Sequence, residues 1–338
     1  MSIHFVKLNK PVKSAVYETY WRFAAMRFEM FLRRLKNEDG PFTDDPVLAL
    51  NRFTNVFRAS DRVSQFLIRL QYKEEDPSEI FFKTLLFKIF NKIETYCYLE
   101  NEMEGISYKD FSFDKYNDLL SKRMLEEKKA IYSAAYIMPS AGNFFGHKMK
   151  HTNHLALIEG AMSDGLHLRI QDAKSLEEVY TLLLSLPSIG SFLAFQYAID
   201  LNYSSIIGFS EMDFVVAGPG AKNGISKCFN SIGDYSYEDV IRLMADEQES
   251  ECERIGVTLP ILGGRSLQLI DCQNIFCEVD KYLRATHPEL SGLTGRTRIK
   301  QKYRPINTPI DFFFPPKWNI TSKINMLCPI RLKEGIYL

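Results

Sequence analysis

Several groups of residues in this chain have types and spacings that could do chemistry. The stretch "LPSIGSFLAFQYAIDL" (186–201) places Pro187-Ser188-Ile189-Gly190 between two helical patterns. A helix cannot pass Pro187 without losing a backbone bond, and Gly190 tolerates the positive φ and close approach of a tight turn. Such a turn either joins two helices or presents unpaired amides to a phosphate oxygen, helped by the positive end of the second helix. Ser188, Ile189 and Gly190 are therefore candidate DNA-backbone contacts, of a kind that positions without reading sequence. Asn55, Arg58 and Arg62 recur at three- and four-residue spacing and share a face if helical, with Asp61 placed to pair with Arg58. They suit a salt-bridged surface helix, or a pocket strip where Asn55 reads a base edge and the arginines hold phosphate or a base modification.

Glu29, in "RFAAMRFEMFLRRL", has mostly apolar neighbours three and four residues away. A carboxylate there points out at the margin or sits in a pocket with a raised pKa. "AGPGAKNGI" (217–225) offers Gly218, Gly220 and Lys222 as a further backbone-contact set, its glycines able to form an amide nest or simply to turn the chain. The lysine–serine/threonine end of a Walker A loop is missing from it and from the rest of the chain, which disfavours a P-loop kinase. His147, His151 and His154 have metal-ligand spacing only if one helix carries all three; Thr152 and Asn153 read instead as helix caps, and no metal site is assigned. Glu278, Lys281 and Tyr282 share a late helical face beside Asp280, as pocket lining or as a satisfied polar network. In "RTRIKQKYR" (296–304) basic residues alternate, so an extended chain would line Arg298 and Lys300 along one basic side.

The elements that must hold these residues read as helical almost throughout. Expected helices cover residues 11–37, 54–71, 76–98, 113–138, 175–186, 237–254 and 266–286, with Asp45-Pro46 starting a short one and Ser175/Glu178 a capping box. Convincing strand patterns are few, so the fold is mainly α. Lys plus Arg and Asp plus Glu each count 42 in 338 residues, so any nucleic-acid surface must concentrate its charge locally. Six cysteines without a CxxC pair read as reduced thiols, and no segment resembles a signal or membrane span, so a cytoplasmic setting is expected.

Asp213 lies 23 residues after Gly190. Hairpin and aspartate together resemble the helix–hairpin–helix DNA glycosylase superfamily, with Ser188 in place of the usual glycine and Phe192 where a lyase would carry lysine. The resemblance implies Asp213 as the catalytic carboxylate of a monofunctional enzyme. "TDDPVLALNRFTNVFRASDRVSQFLI", "LPSIGSFLAFQYAIDL", "AGPGAKNGI" and "DCQNIFCEVDKY" further resemble the α-glutamyl/putrescinyl thymine pyrophosphorylase family, whose shared module is also called the helical domain of 5-hydroxymethyl-deoxyuridine DNA kinase. That similarity covers about residues 20–305 and adds Glu29 as a second catalytic candidate. It implies a glycosylase-like helical fold over residues 1–338, with lobes at 1–140 and 141–305 and an extension at 306–338. The expected function is excision of a hypermodified pyrimidine, flipped from double-stranded phage DNA, in antiviral defence and without a cofactor. Two readings stay beside it: phosphoryl or pyrophosphoryl transfer to 5-hydroxymethyluracil in DNA, with ATP and Mg²⁺, and a non-catalytic DNA-binding module.

Overall fold

Apolar side chains at three- and four-residue spacing do build helices here, but several are shorter than their sequence patterns. The computed structural model describes residues 8–36, 38–74, 76–290, 292–304 and 311–327. Strand β1 (Val12–Lys13) precedes α1 (Glu18–Leu35), α2 (Pro46–Leu50), α3 (Arg62–Gln71), α4 (Pro77–Phe90), α5 (Ile93–Glu102) and α6 (Phe113–Ser121). Then come α7 (Gly142–Phe145), α8 (Lys150–Ser163), α9 (Leu166–Asp172), α10 (Leu176–Leu184), α11 (Ser191–Tyr203) and α12 (Pro219–Cys228). β2 (Phe229–Ser231), antiparallel to β1, is followed by α13 (Tyr237–Asp246), α14 (Gln248–Ile255), α15 (Leu269–Thr286) and α16 (Thr321–Met326). The mainly α class is as expected. Two compact units divide the chain differently from the expected lobes: residues up to Asp61 join those from Ala217 onward, and Arg62–Val216 form the other.

In the first unit α1 buries Tyr20, Trp21, Phe23 and Ala24. Tyr20 meets the Phe276 ring at 4.5 Å and donates its hydroxyl to the Cys272 carbonyl at 3.1 Å, fixing α1 on α15. Helix α12 lies closer still. A Cβ on Gly224 would overlap the Phe276 carbonyl, and one on Gly220 would stand 2.9 Å from the Cys277 Sγ. These glycines permit backbone-to-backbone packing, which accounts for them without an amide nest; Gly218 is the N-cap of α12, and Lys222 stands over the Tyr237 ring at 5.5 Å. The close approach buries charge. Lys227 Nζ pairs with Asp280 at 3.0 Å, both side chains 1% exposed, and Asn223 and Arg284 donate to the same carboxylate.

In the second unit, α4 is buried over most of its length and carries the Lys88–Asp200 ion pair at 3.0 Å into the core. The expected helix 76–98 breaks where Asn91 takes φ 48°. The one expected over 113–138 stops at a wide turn, Lys122–Glu126. Helix α8 begins at Lys150, before the expected caps, so His151 and His154 are core residues. His154 Nε2 lies 2.6 Å from the Pro139 carbonyl and must donate to it; Nδ1, 2.7 Å from the Tyr132 hydroxyl, accepts. Burial pushes the His154 pKa down to about 4. Between pH 6.5 and 4 the unfolded chain therefore binds a proton the folded one refuses, so this stabilisation is present above 6.5 and lost as pH falls. Unfolding midpoints across that window should fall on acidification by up to about 3 kcal/mol of stability, and His154→Gln should flatten the slope. Of the cysteines, Cys97, Cys228, Cys252, Cys272 and Cys277 are free thiols; Cys328 lies outside the described residues.

Candidate substrate pocket

The helical period puts Arg27, Met30, Phe31 and Arg34 of α1 on one face, at i, i+3, i+4 and i+7. That face meets α2 at Leu48. It walls a pocket completed by Phe42, Leu48, Asn51, Phe53, Asn55, Tyr303 and Phe312, which encloses about 640 Å³ of empty space, its mouth included. The cavity proper measures about 50 Å³, the rest of that space being open to solvent, and the lining has the usual composition of small-molecule sites: mostly apolar and aromatic, with few polar groups. Arg27 supplies the fixed charge. Its Nη2 donates to Asn55 Oδ1 at 2.7 Å and to the Phe53 carbonyl at 3.5 Å, while Nε and Nη1 have no partner among the described residues. Burial lowers the Arg27 pKa, countered by the charges of Asp61 and Glu278. Asp61 accepts the Asn55 amide at 2.8 Å, and burial raises its carboxyl pKa to about 6. The Tyr303 hydroxyl likewise has no hydrogen-bond partner among the described residues.

Asn55 lies at this site, but its amide is committed. Oδ1 takes the Arg27 bond and Nδ2 donates to the Ser60 carbonyl at 2.8 Å, so Asn55 orients Arg27 instead of reading a base edge. Its expected helical companions are elsewhere, because α3 begins only at Arg62 and residues 58–60 form a single tight turn. Arg58 is 3% exposed, its backbone amide bonded to Asp271, and Arg62 faces solvent near Glu94 at 3.6 Å. Glu278, Lys281 and Tyr282 support the pocket from behind. Glu278 accepts the Thr54 amide at 3.1 Å and pairs with Lys281 at 2.7 Å; Lys281 stands over the Phe53 ring at 4.7 Å; the Tyr282 hydroxyl donates to Asp45 Oδ2 at 2.6 Å.

Glu29 is two residues from Arg27, about 200° around the helix, and therefore outside this pocket. It is exposed and lines an open cleft with Arg33, Thr43, Asp44 and Asp45, on the other side of Phe42. Asp213 is exposed in the second unit. There α10 and α11 form the expected helix pair, with a difference in the turn: Ser188, not Gly190, takes the positive φ, at 64°. The Ile189 amide is spent on the Leu186 carbonyl at 3.1 Å, and Gly190 is exposed at φ −83°. Phe192 stacks on Tyr136 at 5.8 Å.

The basic segment borders the pocket of the first unit. Arg296, Arg298, Lys300, Lys302 and Arg304 are exposed, whereas Ile299 and Tyr303 turn inward. Arg52 donates its amide to the Gln301 carbonyl at 3.0 Å, and Tyr303 donates to Leu50 at 3.1 Å. Sequence patterning missed Arg27, Arg34 and Tyr303 as pocket residues. The i, i+7 arginines on an otherwise apolar face were the available signal.

A family model described as "5-hmdU DNA kinase, helical domain" matches residues 14–292. A protein named 5-hmdU DNA kinase, from Bacillus phage SP10, is 25% identical over 331 residues, covering 91% of this chain and 51% of the relative. The chain thus spans about half the length of that curated relative. No solved structure matches at a significant level. Both names denote a phosphoryl transferase, which overturns the expected N-glycosylase: base excision, hydrolysis and the antiviral role built on them are corrected, and Asp213 and Glu29 lose the glycosidic chemistry assigned to them.

Proposed function

The chain belongs to the family described as the helical domain of 5-hmdU DNA kinase, and from that premise we propose that it holds a 5-hydroxymethyl pyrimidine of DNA in the Arg27 pocket for phosphoryl transfer to the hydroxymethyl oxygen. The observation that carries this reading is the Arg27 guanidinium inside an aromatic enclosure, anchored through Nη2 and with Nε and Nη1 unpartnered among the described residues. A uracil ring offers π-faces to Phe31, Phe42 and Phe53, and carbonyl acceptors along its edge to cationic N–H groups. Only an everted nucleotide can enter a pocket of this kind, and eversion costs a few kcal/mol that base and backbone contacts offset.

In the reaction the hydroxymethyl oxygen attacks the terminal phosphorus of a nucleoside triphosphate, the bond to the leaving diphosphate breaks, and the hydroxyl proton departs to a base. Mg²⁺ would supply charge neutralisation on the phosphates. The described residues do not fit it: no three His, Cys, Asp or Glu side chains gather as a metal site. Asp280 is taken by Lys227 and Arg284, and Glu278 by Lys281. The role of this chain's own residues is therefore to bind and orient the acceptor: Arg27 at the ring edge, held by Asn55 and Asp61, with the phenylalanines excluding water.

Binding to duplexes that differ only in one 5-hydroxymethyluracil or thymine tests the reading. The hydroxymethyl duplex should bind at least several-fold tighter, and with ATP and Mg²⁺ the protein should label only that DNA. Equal affinity for both duplexes overturns it.

A further inference from the structure

We infer that residues 292–304 form a track for the DNA backbone that ends in the Arg27 pocket; this deepens the proposed function and rests on it. The segment is anchored at both ends. At its start the Thr294 amide donates to Asn223 Oδ1 at 3.1 Å, and Gly292 lacks the Cβ that would collide with the Asn223 amide, 2.4 Å from its Oδ1 being too close for any side chain, so the overlap forces glycine there. At its far end the backbone joins residues 50–52 through the Arg52 and Tyr303 amides, and Lys302 Nζ reaches Asn51 Oδ1 at 3.2 Å. Between the anchors Arg296, Arg298 and Lys300 face solvent, and Ile299 is the residue that turns partly inward.

Single residues separate Arg296, Arg298 and Lys300, so the anchored segment gathers three exposed cations within five residues. No aspartate or glutamate occurs between residues 290 and 310, although acids and bases balance over the whole chain. An acid-free row of fixed cations is the arrangement that polyanion binding needs and that a solvated loop does not. Tyr303, partly covered beside them, is also a pocket wall. The track therefore leads a strand to the pocket mouth: phosphates on Arg296, Arg298 and Lys300, and the everted base against Tyr303.

The test compares the wild-type protein with Arg296→Gln/Arg298→Gln/Lys300→Gln in two assays: salt-dependent binding to a duplex containing 5-hydroxymethyluracil, and binding of 5-hydroxymethyl-2′-deoxyuridine monophosphate. The triple variant should bind the duplex roughly 10–100-fold more weakly at low salt, with the slope of log affinity against log salt smaller by roughly 2–3. Its affinity for the mononucleotide should be unchanged. A duplex affinity and salt slope equal to wild type overturn the track. A reduced slope, with neither protein binding the mononucleotide, upholds the track and removes the pocket reading instead.

Discussion

Arg27→Met is expected to weaken binding of DNA containing 5-hydroxymethyluracil by roughly 10–100-fold, the loss that follows removal of a hydrogen bond to a charged group, about 1.5–3 kcal/mol. Methionine keeps the unbranched apolar stem and loses the guanidinium, so the change falls mainly on the polar function. Arg27→Lys should recover part of the affinity, because an ammonium restores charge but not the planar fork that serves Asn55 and a ligand together. The variant also removes the larger of the positive charges that act on Asp61, leaving that of Arg58. Asp61 already has a raised pKa of about 6 against an ordinary 3.8, so its contribution to stability is full below 3.8 and lost as pH rises through 6. In Arg27→Met that loss should extend to higher pH, and denaturation midpoints at pH 5 and pH 7.5 should diverge more than in wild type. Titrations against the thymine duplex complete the experiment. An unchanged preference for the hydroxymethyl base in a folded Arg27→Met protein would take the pocket out of the reading.

Legibility of the sequence followed the range of the interactions. Asp45-Pro46 and Asp76-Pro77 start helices through local carboxylate-to-amide bonds, and both were readable because nothing distant enters them. Ser175 caps α10 as expected, but Glu178 closes its reciprocal bond on Lys174, one residue early. Residues 54–61 carry helical spacing and form no α-helix, only a single 3-10 turn at Arg58–Ser60, because their amides are claimed from far along the chain: Thr54 by Glu278 and Arg58 by Asp271. Periodicity cannot register a competitor more than two hundred residues away. The same limit hid the pocket. Arg27 resembled Arg22 and Arg33 as a surface cation until side chains of residues 42–55, Tyr303 and Phe312 closed around it, and Glu29 resembled a pocket carboxylate although it sits on the other side of α1. The glycines of "AGPGAKNGI" were noticed for their backbone freedom, whereas what they provide is room for the α15 backbone. The shared family motifs pointed to the right protein group, but between glycosylase and kinase chemistry those motifs were silent.

Asp280→Ala should be among the most destabilising single substitutions in the first unit. The carboxylate is 1% exposed and receives Lys227, Arg284 and Asn223 together. Removing it leaves the Lys227 ammonium buried without a counter-charge, which typically costs about 3–5 kcal/mol. Taking out both partners is a different experiment. Lys227→Met/Asp280→Leu removes the charges as well as their attraction, and such apolar replacements are often neutral, so the double variant should recover much of the single variant's loss. Denaturant titration followed by far-ultraviolet circular dichroism would measure both. The effect should also reach the basic segment, since Asn223 bonds Asp280 through Nδ2 and anchors the Thr294 amide through Oδ1. Freed from Asp280, that amide can rotate, and the start of the track loses its fixed point. The double variant, although stable, should therefore still bind DNA more weakly than wild type while holding the mononucleotide equally well. If instead it matches wild type on duplex DNA, Asn223 holds Thr294 without help from Asp280, and the network serves only to join α12 to α15.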